Sequence, residues 1–448
     1  MKKTAIIGSG ESGFGAALLA HKNGHEVFVS DAGKISTEKK NTYLEKGIAF
    51  EEEQHSLEKL MDADTLIKSP GIPFSTPLIE KLLSSGKRVI DELEFAYGFS
   101  KGKVIAITGT NGKTTTTLLT HHLMQTAGMD VGMGGNVGQS WALQLAQEDH
   151  DWWVLEVSSF QIEGMDTFRP NIAVLLNITP DHLDRYNFDL SLYAAAKVKL
   201  TARMEQEDHF IYHQKDKNIL TAMQNMQGRP EPIPFGLEPT SGSKSYLGEK
   251  ELVVKTHEDS WSWPLEKMAL KGSHNHLNTM AALLAAKLAG APAESLGTGL
   301  KTFVNAAHRM ESVATIKGIH FVNDSKGTNV DATAFALEAF DEPLIWIAGG
   351  VDKGNDYGLL EDKVARHVRV LICLGKDNEK LKKAFSGKIP EILETREITQ
   401  AVNWALEKGV AGDVALLSPA CASFDLFKNY EDRGNQFKAA VLQLKQTQ

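Results

Sequence analysis

The 448-residue sequence predicts an α/β protein of three domains: a Rossmann-like parallel sheet at the N-terminus, a central α/β domain of the P-loop ATPase type, and a Rossmann-like C-terminal α/β domain. Three observations predict this. Apolar runs of strand length alternate with helical patterns along most of the chain. A glycine turn, Gly8-Ser9-Gly10-Glu11-Ser12-Gly13, follows the first apolar run. A second, Gly109-Thr110-Asn111-Gly112-Lys113-Thr114-Thr115, follows another.

The first domain is assigned to residues 1–93. Strands are expected at 4–7, 26–30, 64–67 and 88–90, with a helix at 14–22. Strands separated by helices imply parallel pairing, because a parallel partner is reached only through a long crossover. Charge and glycine over 92–103 suggest the boundary with a second domain, 94–305. Its strands are read at 104–108, 153–157 and 172–176, and 192–204 reads as a helix. Residues 205–270, with Trp261 and Trp263, have a short, irregular pattern that reads as β-rich and connective. An Ala/Leu-rich helix follows at 277–288. The third domain, 306–448, has strands at 319–322, 344–348, 370–374 and 414–417.

Composition narrows the function classes. A net charge of -9 argues against binding driven by nucleic-acid phosphates. The two cysteines, Cys373 and Cys421, cannot build a disulfide framework, which points to a reducing compartment. No apolar run nears the ~20 residues that span a bilayer. Gly8, Gly10 and Glu11 also cut short the apolar stretch behind Met1-Lys2-Lys3. The expectation is a cytoplasmic protein that handles metabolites, with no membrane insertion.

The second glycine turn has the chemistry of a phosphate cradle. Backbone N–H groups point at phosphates, and the helix N-terminus adds partial positive charge. Lys113 can reach the outer phosphates and Thr114 can offer its hydroxyl to Mg²⁺. The match to G-x-x-x-x-G-K-[ST] is incomplete, because Ile107 stands where the first glycine would be. The first turn, with Asp31 ending the next strand, would by itself suggest a dinucleotide enzyme. A chain carrying both turns fits a nucleotide-linked substrate on the first domain better.

Other polar clusters also fall after strands. Glu156 ends one beside the phosphate turn, a position suited to holding Mg²⁺, and Val157-Ser158-Ser159-Phe160-Gln161 follows it. Asn177 to Tyr186 contains Asp181, His182, Asp184 and Arg185; Lys197 lies on the helix beyond. His274-Asn275-His276-Leu277-Asn278 opens the Ala-rich helix; there the histidines diverge, leaving the asparagines to meet a base. His308-Arg309 and Asn323 to Asn329 offer phosphate or ribose contacts, or are ordinary loops. Gly349 to Gly354 could form another anion-binding turn. Cys421 has no evident histidine partner, which argues against a nucleophile.

Together these motifs resemble the Mur ligases, over the whole chain. Gly109 to Thr115 is similar to their ATP loop, absent first glycine included. Gly135-Asn136-Val137-Gly138, Glu156, His182, Lys197, Asn275, His308-Arg309 and Asp324-Ser325-Lys326 follow in the family's order. Within the family, Ser158 to Gln161, Asp184-Arg185-Tyr186 and Ser418 to Ser423 resemble the D-glutamate-adding members. The resemblance implies formation of an amide through an acyl phosphate, with ATP and Mg²⁺. It implies Lys113, His182, Lys197 and Arg309 as catalytic, and Thr114, Glu156, His182 and Lys197 at the metal, with Lys197 carbamylated. ATP would meet Gly109, Thr110, Asn111, Gly112, Lys113, Thr114, Thr115, Asn275, Asn278, Arg309, Asp324 and Lys326. UDP-N-acetylmuramoyl-L-alanine would meet Glu11, Ser12, Asp31, Ser69, Gly71 and Asn136; D-glutamate would meet Thr328, Lys353, Ser423, Phe424 and Tyr430. A monomer is the family-based expectation. Two departures stand out: Tyr430, where the family often has Phe, and Glu11, a negative charge inside a diphosphate loop.

Alternatives are a sister Mur ligase adding another amino acid, a folylpolyglutamate synthase-like ligase and an inactive nucleotide-binding regulator. The first domain counts against the folylpolyglutamate reading. Lys113, Glu156, His182 and Lys197 together count against the regulator.

Overall fold

The structure is a computed structural model that describes residues 1–256, 259–352 and 354–446. The chain forms two compact units: Met1–Ala269 with His276–Phe303, and Leu270–Asn275 with Val304–Gln448.

The first unit holds two sheets. One comprises β1 (Lys3–Ile7), β2 (Glu26–Ser30), β3 (Ala49–Glu51), β4 (Thr65–Lys68) and β5 (Arg88–Asp91) in the order β3-β2-β1-β4-β5, all parallel. The other has nine strands: β6 (Lys103–Thr108), β7 (Val131–Gly135), β8 (Trp152–Glu156), β9 (Ile172–Leu175), β10 (His209–His213), β11 (Glu231–Phe235), β12 (Ser245–Leu247), β13 (Glu251–Lys255) and β14 (Ser260–Pro264). Their order is β14-β13-β12-β11-β10-β9-β6-β8-β7. β6 lies between β8 and β9 and is parallel to both, so the phosphate loop leaves the sheet flanked by the ends of both neighbours. Nucleotide sites on open parallel sheets form at such carboxyl ends.

The irregular stretch 205–270 contributes five strands that extend this sheet, with a helix at Lys217–Met223 between the first two; β10, β11 and β12 run parallel, and the β12–β13 and β13–β14 pairs are antiparallel. The charged stretch after residue 91 is equally unlike a solvated linker. Asp91, Glu92 and Glu94 are buried at 0, 1 and 3 % exposure. Glu94 accepts N–H bonds from Asp166, Thr167 and Phe168; Glu92 Oε1 accepts from Ser140 Oγ and Ala142 N. One apolar core runs between the sheets and includes Ile6, Val29, Leu93, Phe95, Trp141, Trp153 and Phe168.

The second unit is built on β15 (Glu311–Ile316), β16 (Ile319–Asn323), β17 (Leu344–Ala348), β18 (Val368–Leu374), β19 (Glu391–Thr395) and β20 (Val414–Leu417), in the order β15-β16-β20-β17-β18-β19. Only the β15–β16 hairpin is antiparallel. Among the described residues no helix is long and apolar enough to cross a membrane.

Candidate active site

The phosphate loop is forced by its glycines. Gly109 (φ 152°) and Gly112 (φ 87°) adopt conformations that L side chains rarely take. A Cβ on Gly112 would also lie 2.3 Å from Asn278 Oδ1. The loop is laced to the next one. Thr110 N donates to Asn177 O (2.9 Å), Asn111 N donates to Asn177 Oδ1 (2.8 Å), and Asn177 Nδ2 donates back to Asn111 O (3.0 Å).

Two amines converge on one carbonyl. Lys113 Nζ donates to Gly109 O (2.9 Å) and Thr110 O (2.8 Å), and Lys197 Nζ donates to Gly109 O (2.9 Å). Lys197 is 2 % exposed. Burial first, and the charge of Lys113 second, push its amine well below the ordinary lysine range. Tyr193, one helical turn earlier, places its ring 4.6 Å from Lys197 Nζ and its hydroxyl 3.3 Å from Thr110 Oγ1.

Glu156 ends β8 and is buried. Its Oε1 accepts from Asn136 Nδ2 (2.7 Å), whereas Oε2 is buried with no hydrogen-bond partner. An unmet carboxylate oxygen away from water is costly, and a hard divalent cation satisfies it. Thr114 is buried at the start of the phosphate-loop helix Lys113–Thr126, and Thr115 is buried beside it. Among the described residues no three His, Cys, Asp or Glu side chains form a ready-made metal cage. Mg²⁺ does not require one, since it keeps waters and takes one or two carboxylates with substrate phosphates. His182 sits in left-handed conformation (φ 51°), its ring 5.2 Å from that of Phe160 and Nε2 3.7 Å from Asp181 Oδ2.

The first glycine turn is wired differently. Asp31 Oδ2 accepts from Ser9 N (2.5 Å) and Oδ1 from Gly33 N (2.7 Å). Lys39 Nζ donates to Ser9 O, and Ser69 Oγ donates to Gly8 O. A Cβ on Gly13 would fall 1.8 Å from Gly8 O, whereas one on Gly10 or Gly71 would meet open space. Ser12 is half-buried beside them. Glu11 turns to the central sheet's side, where Oε1 accepts from Ser140 N (3.0 Å). The charge inside the diphosphate loop is thereby engaged elsewhere.

In the second unit Asp324 is buried, accepts from Ser418 Oγ (2.8 Å), and is raised to about 7 by desolvation. Arg309 partly offsets that rise. Lys326 Nζ lies 4.7 Å over the Tyr430 ring, and Ser325 Oγ donates to Tyr430 O (2.8 Å). Ser423 is buried, Thr328 half-buried, and Phe424 is 71 % exposed. Lys353 lies outside the described residues. Asn275 Nδ2 donates back to Lys271 O (2.9 Å), so one amide expected to await a base is engaged at the helix start. The turn at Gly349 is not an open anion nest. Gly349 N and Val351 N donate to Pro419 O and Ala422 O, and Asp352 Oδ1 accepts from Gly354 N and Asn355 N.

Sequence reasoning missed Arg433. It is 1 % exposed and donates to Ser325 O and Oγ, Cys421 O and Gly349 O, stitching three loops together. It lies near the start of the helix Tyr430–Gln446 among polar residues, where no local pattern marks it as buried. It also missed Tyr193, for which an available signal was the i, i+4 spacing to Lys197.

The chain belongs to the Mur ligase family. Residues 107–286 match the Mur ligase middle domain, 308–421 the Mur ligase glutamate ligase domain, and 3–77 the MurD N-terminal domain. The chain is 46% identical to the UDP-N-acetylmuramoylalanine–D-glutamate ligase of Christiangramia forsetii, over 99% of this chain and 100% of that one. It is 44% identical to the Cytophaga hutchinsonii enzyme of the same name, over 99% of each. Among solved structures, a pseudomurein peptide ligase type C from Methanothermus fervidus shares the fold with TM-score 0.64 at 17% identity, over 99% of this chain and 100% of that one. UDP-N-acetylmuramate–alanine ligase from Thermotoga maritima does so with TM-score 0.61 at 18% identity, over the full length of both.

Proposed function

We propose that this chain joins D-glutamate to UDP-N-acetylmuramoyl-L-alanine at the expense of ATP, in the synthesis of cell-wall peptidoglycan precursor. The full-length identity to ligases of that name supports the substrates. The geometric observation that carries the chemistry is the phosphate loop with Lys113, Lys197 and the unmet oxygen of Glu156 around it.

A carboxylate is a poor electrophile. The L-alanyl carboxylate attacks the γ-phosphorus of ATP, the bond to the β-phosphate oxygen breaks, and ADP leaves. The D-glutamate amine then attacks the acyl carbon, expelling inorganic phosphate and forming the amide. Charge spreads over the phosphoryl oxygens, so Lys113, and Arg309 in the second unit, are the assigned stabilisers. The loop N–H groups of residues 109–115 cradle the phosphates, with Asn275, Asn278, Asp324 and Lys326 on the nucleotide. Thr114, Glu156, His182 and a carbamylated Lys197 would hold Mg²⁺, which would supply charge neutralisation at the phosphates. A free lysine beside such a cation is electrostatically wrong. Burial favours the unprotonated Lys197 amine, the form that adds CO₂ to become an oxygen-donor carbamate, and this supports that modification. Glu11, Ser12, Asp31, Ser69 and Gly71 serve the UDP moiety, and Asn136 meets the substrate while holding Glu156. Thr328, Lys353, Ser423, Phe424 and Tyr430 serve D-glutamate. The reading also takes the enzyme as cytoplasmic and as a monomer; sedimentation of the purified protein tests the oligomeric state and fractionation of cells the location.

The test is phosphate release with each amino acid in turn. D-Glutamate should support it; L-glutamate, L-alanine and meso-diaminopimelate should support it weakly. Reversed handedness strands one carboxylate without its partner. Equal turnover of D- and L-glutamate would refute the acceptor assignment.

A further inference from the structure

Glu163 has no role in the scheme above, yet it holds one side of the site. It ends the short helix Ser159–Glu163 that follows β8. Its carboxylate is divided between two donors: Oε1 accepts from the Tyr186 hydroxyl (2.7 Å) and Oε2 from Arg185 Nη2 (3.2 Å). Both donors belong to the 3₁₀ turn Leu183–Tyr186, which His182 precedes as N-cap. The Glu163 carbonyl also accepts from Lys199 Nζ (2.8 Å), just beyond the helix Leu190–Val198 that carries Lys197.

From these two donors, contacts lead back to the phosphate loop. The Arg185 guanidinium lies 3.9 Å over the Phe160 ring, and Phe160 meets the His182 ring edge-on at 5.2 Å. The Tyr186 ring packs 5.3 Å from Tyr193, whose hydroxyl reaches Thr110. The turn is bracketed by strain. His182, Asn187 and Phe188 have φ of 51°, 53° and 58°, conformations that non-glycine residues hold when their surroundings fix them. An exposed ion pair would hold little. Here the side chains of Arg185 and Glu163 are 16 and 25 % exposed, and Tyr186 is buried.

We propose that Glu163 is a positioning residue for the ligase reaction: shared between Arg185 and Tyr186, its carboxylate fixes the Leu183–Tyr186 turn and so the placement of His182 beside the phosphate loop. This rests on the assignment of His182 to that site.

The experiment compares Glu163→Ala, Glu163→Gln, His182→Ala and the double variant Glu163→Ala/His182→Ala in phosphate release, alongside amide hydrogen exchange of the metal-free proteins. Glu163→Ala should lower kcat about 10- to 100-fold, with KM for the UDP substrate nearly unchanged. Glu163→Gln keeps an acceptor for Tyr186 but loses the charge facing Arg185, so its kcat should fall between. Should the alanine variant fail to fold, the glutamine variant carries the test. On the His182→Ala background the Glu163 change should cost nothing further. Amides 183–188 should exchange faster in Glu163→Ala while those of β6 and β8 stay unchanged. Unchanged kcat and exchange in Glu163→Ala beside a crippled His182→Ala would overturn this proposal alone. A full additional loss in the double variant would do the same. A wild-type rate for His182→Ala would overturn the site assignment and this proposal with it.

Discussion

The first unit contains two glycine turns at strand ends, and they differ in what surrounds them. At Gly8 the turn is held by one carboxylate oxygen and one amine: Asp31 Oδ2 accepts from Ser9 N, Lys39 Nζ donates to Ser9 O, and Glu11 points away. At Gly109 the turn is crowded by two amines, with an unmet carboxylate oxygen nearby at Glu156. Glycine supplies a backbone that can approach a phosphate in both. Charge decides what happens there. In the proposed reading the first turn serves a bound diphosphate, with Lys39 on a loop carbonyl, whereas the second pairs Lys113 with a buried carboxylate suited to a metal and so serves the phosphoryl group that moves.

The largest effect should follow from removing a cation at the second turn. Lys113→Ala should lower turnover about 100- to 1000-fold, while calorimetric binding of UDP-N-acetylmuramoyl-L-alanine stays close to wild type. Near-normal ligation by this variant would mean the phosphate loop is misassigned.

Lys197→Ala comes next. It should lose most activity, and formate or acetate should restore part of it by occupying the vacant oxygen position. The pH dependence has a defined sign. Burial favours the neutral amine, which alone reacts with CO₂, so lowering pH protonates it and should raise the bicarbonate needed for full rate. Full activity in Lys197→Ala, with a plain lysine in a high-resolution map of the substrate-bound wild type, would exclude the carbamate.

At the first turn the expected losses are in binding. Calorimetry should detect UDP-N-acetylmuramoyl-L-alanine and not NADH or NADPH; the reverse would overturn the substrate assignment. Gly13→Ala, whose Cβ would sit 1.8 Å from Gly8 O, should weaken that binding and lower the thermal midpoint, whereas Gly10→Ala should leave the midpoint alone.

The smallest effect concerns the acids between the two sheets. Burial holds the Glu92 carboxyl at about 7, above the 4.5 of a free glutamate. The folded state therefore binds this proton more tightly than the unfolded one. The group's contribution is full below pH 4.5 and is lost as pH rises through about 7. Glu92→Gln keeps the acceptor for Ser140 and Ala142 and removes that loss. Its thermal midpoint should gain a few degrees on wild type between pH 5 and 8; parallel profiles would count against the protonated acid.

Much of the fold was legible because buried parallel strands are continuous apolar runs. Residues 26–30, 344–348 and 414–417 coincide with β2, β17 and β20. β7 was missed because Val131-Gly132-Met133-Gly134-Gly135 is glycine-rich and has little strand propensity. β10 to β14 were read only as a β-rich stretch, since short strands near a sheet edge carry prolines, tryptophans and lysines in no clean alternation. For the site, the glycine turns, Glu156 and the His182 loop could be read at strand ends. The partners that fix them could not: a clamp such as Glu163 to Arg185 and Tyr186 joins separate elements, and no local pattern marks it.

The caps supplied by Glu92 and Glu94 bear on how the chain is made. The N–H and hydroxyl groups they accept lie 48 to 74 residues further along. Synthesis runs from the N-terminus, so β1 to β5 emerge while these acids are still hydrated and while Leu93 and Phe95 await Trp141 and Phe168. The acids gain these donors, and the shared core its later half, only when residues 140–168 arrive. A chain halted before that point would leave Leu93 and Phe95 exposed beside charged acids, so the order of synthesis alone sets when this flank is covered.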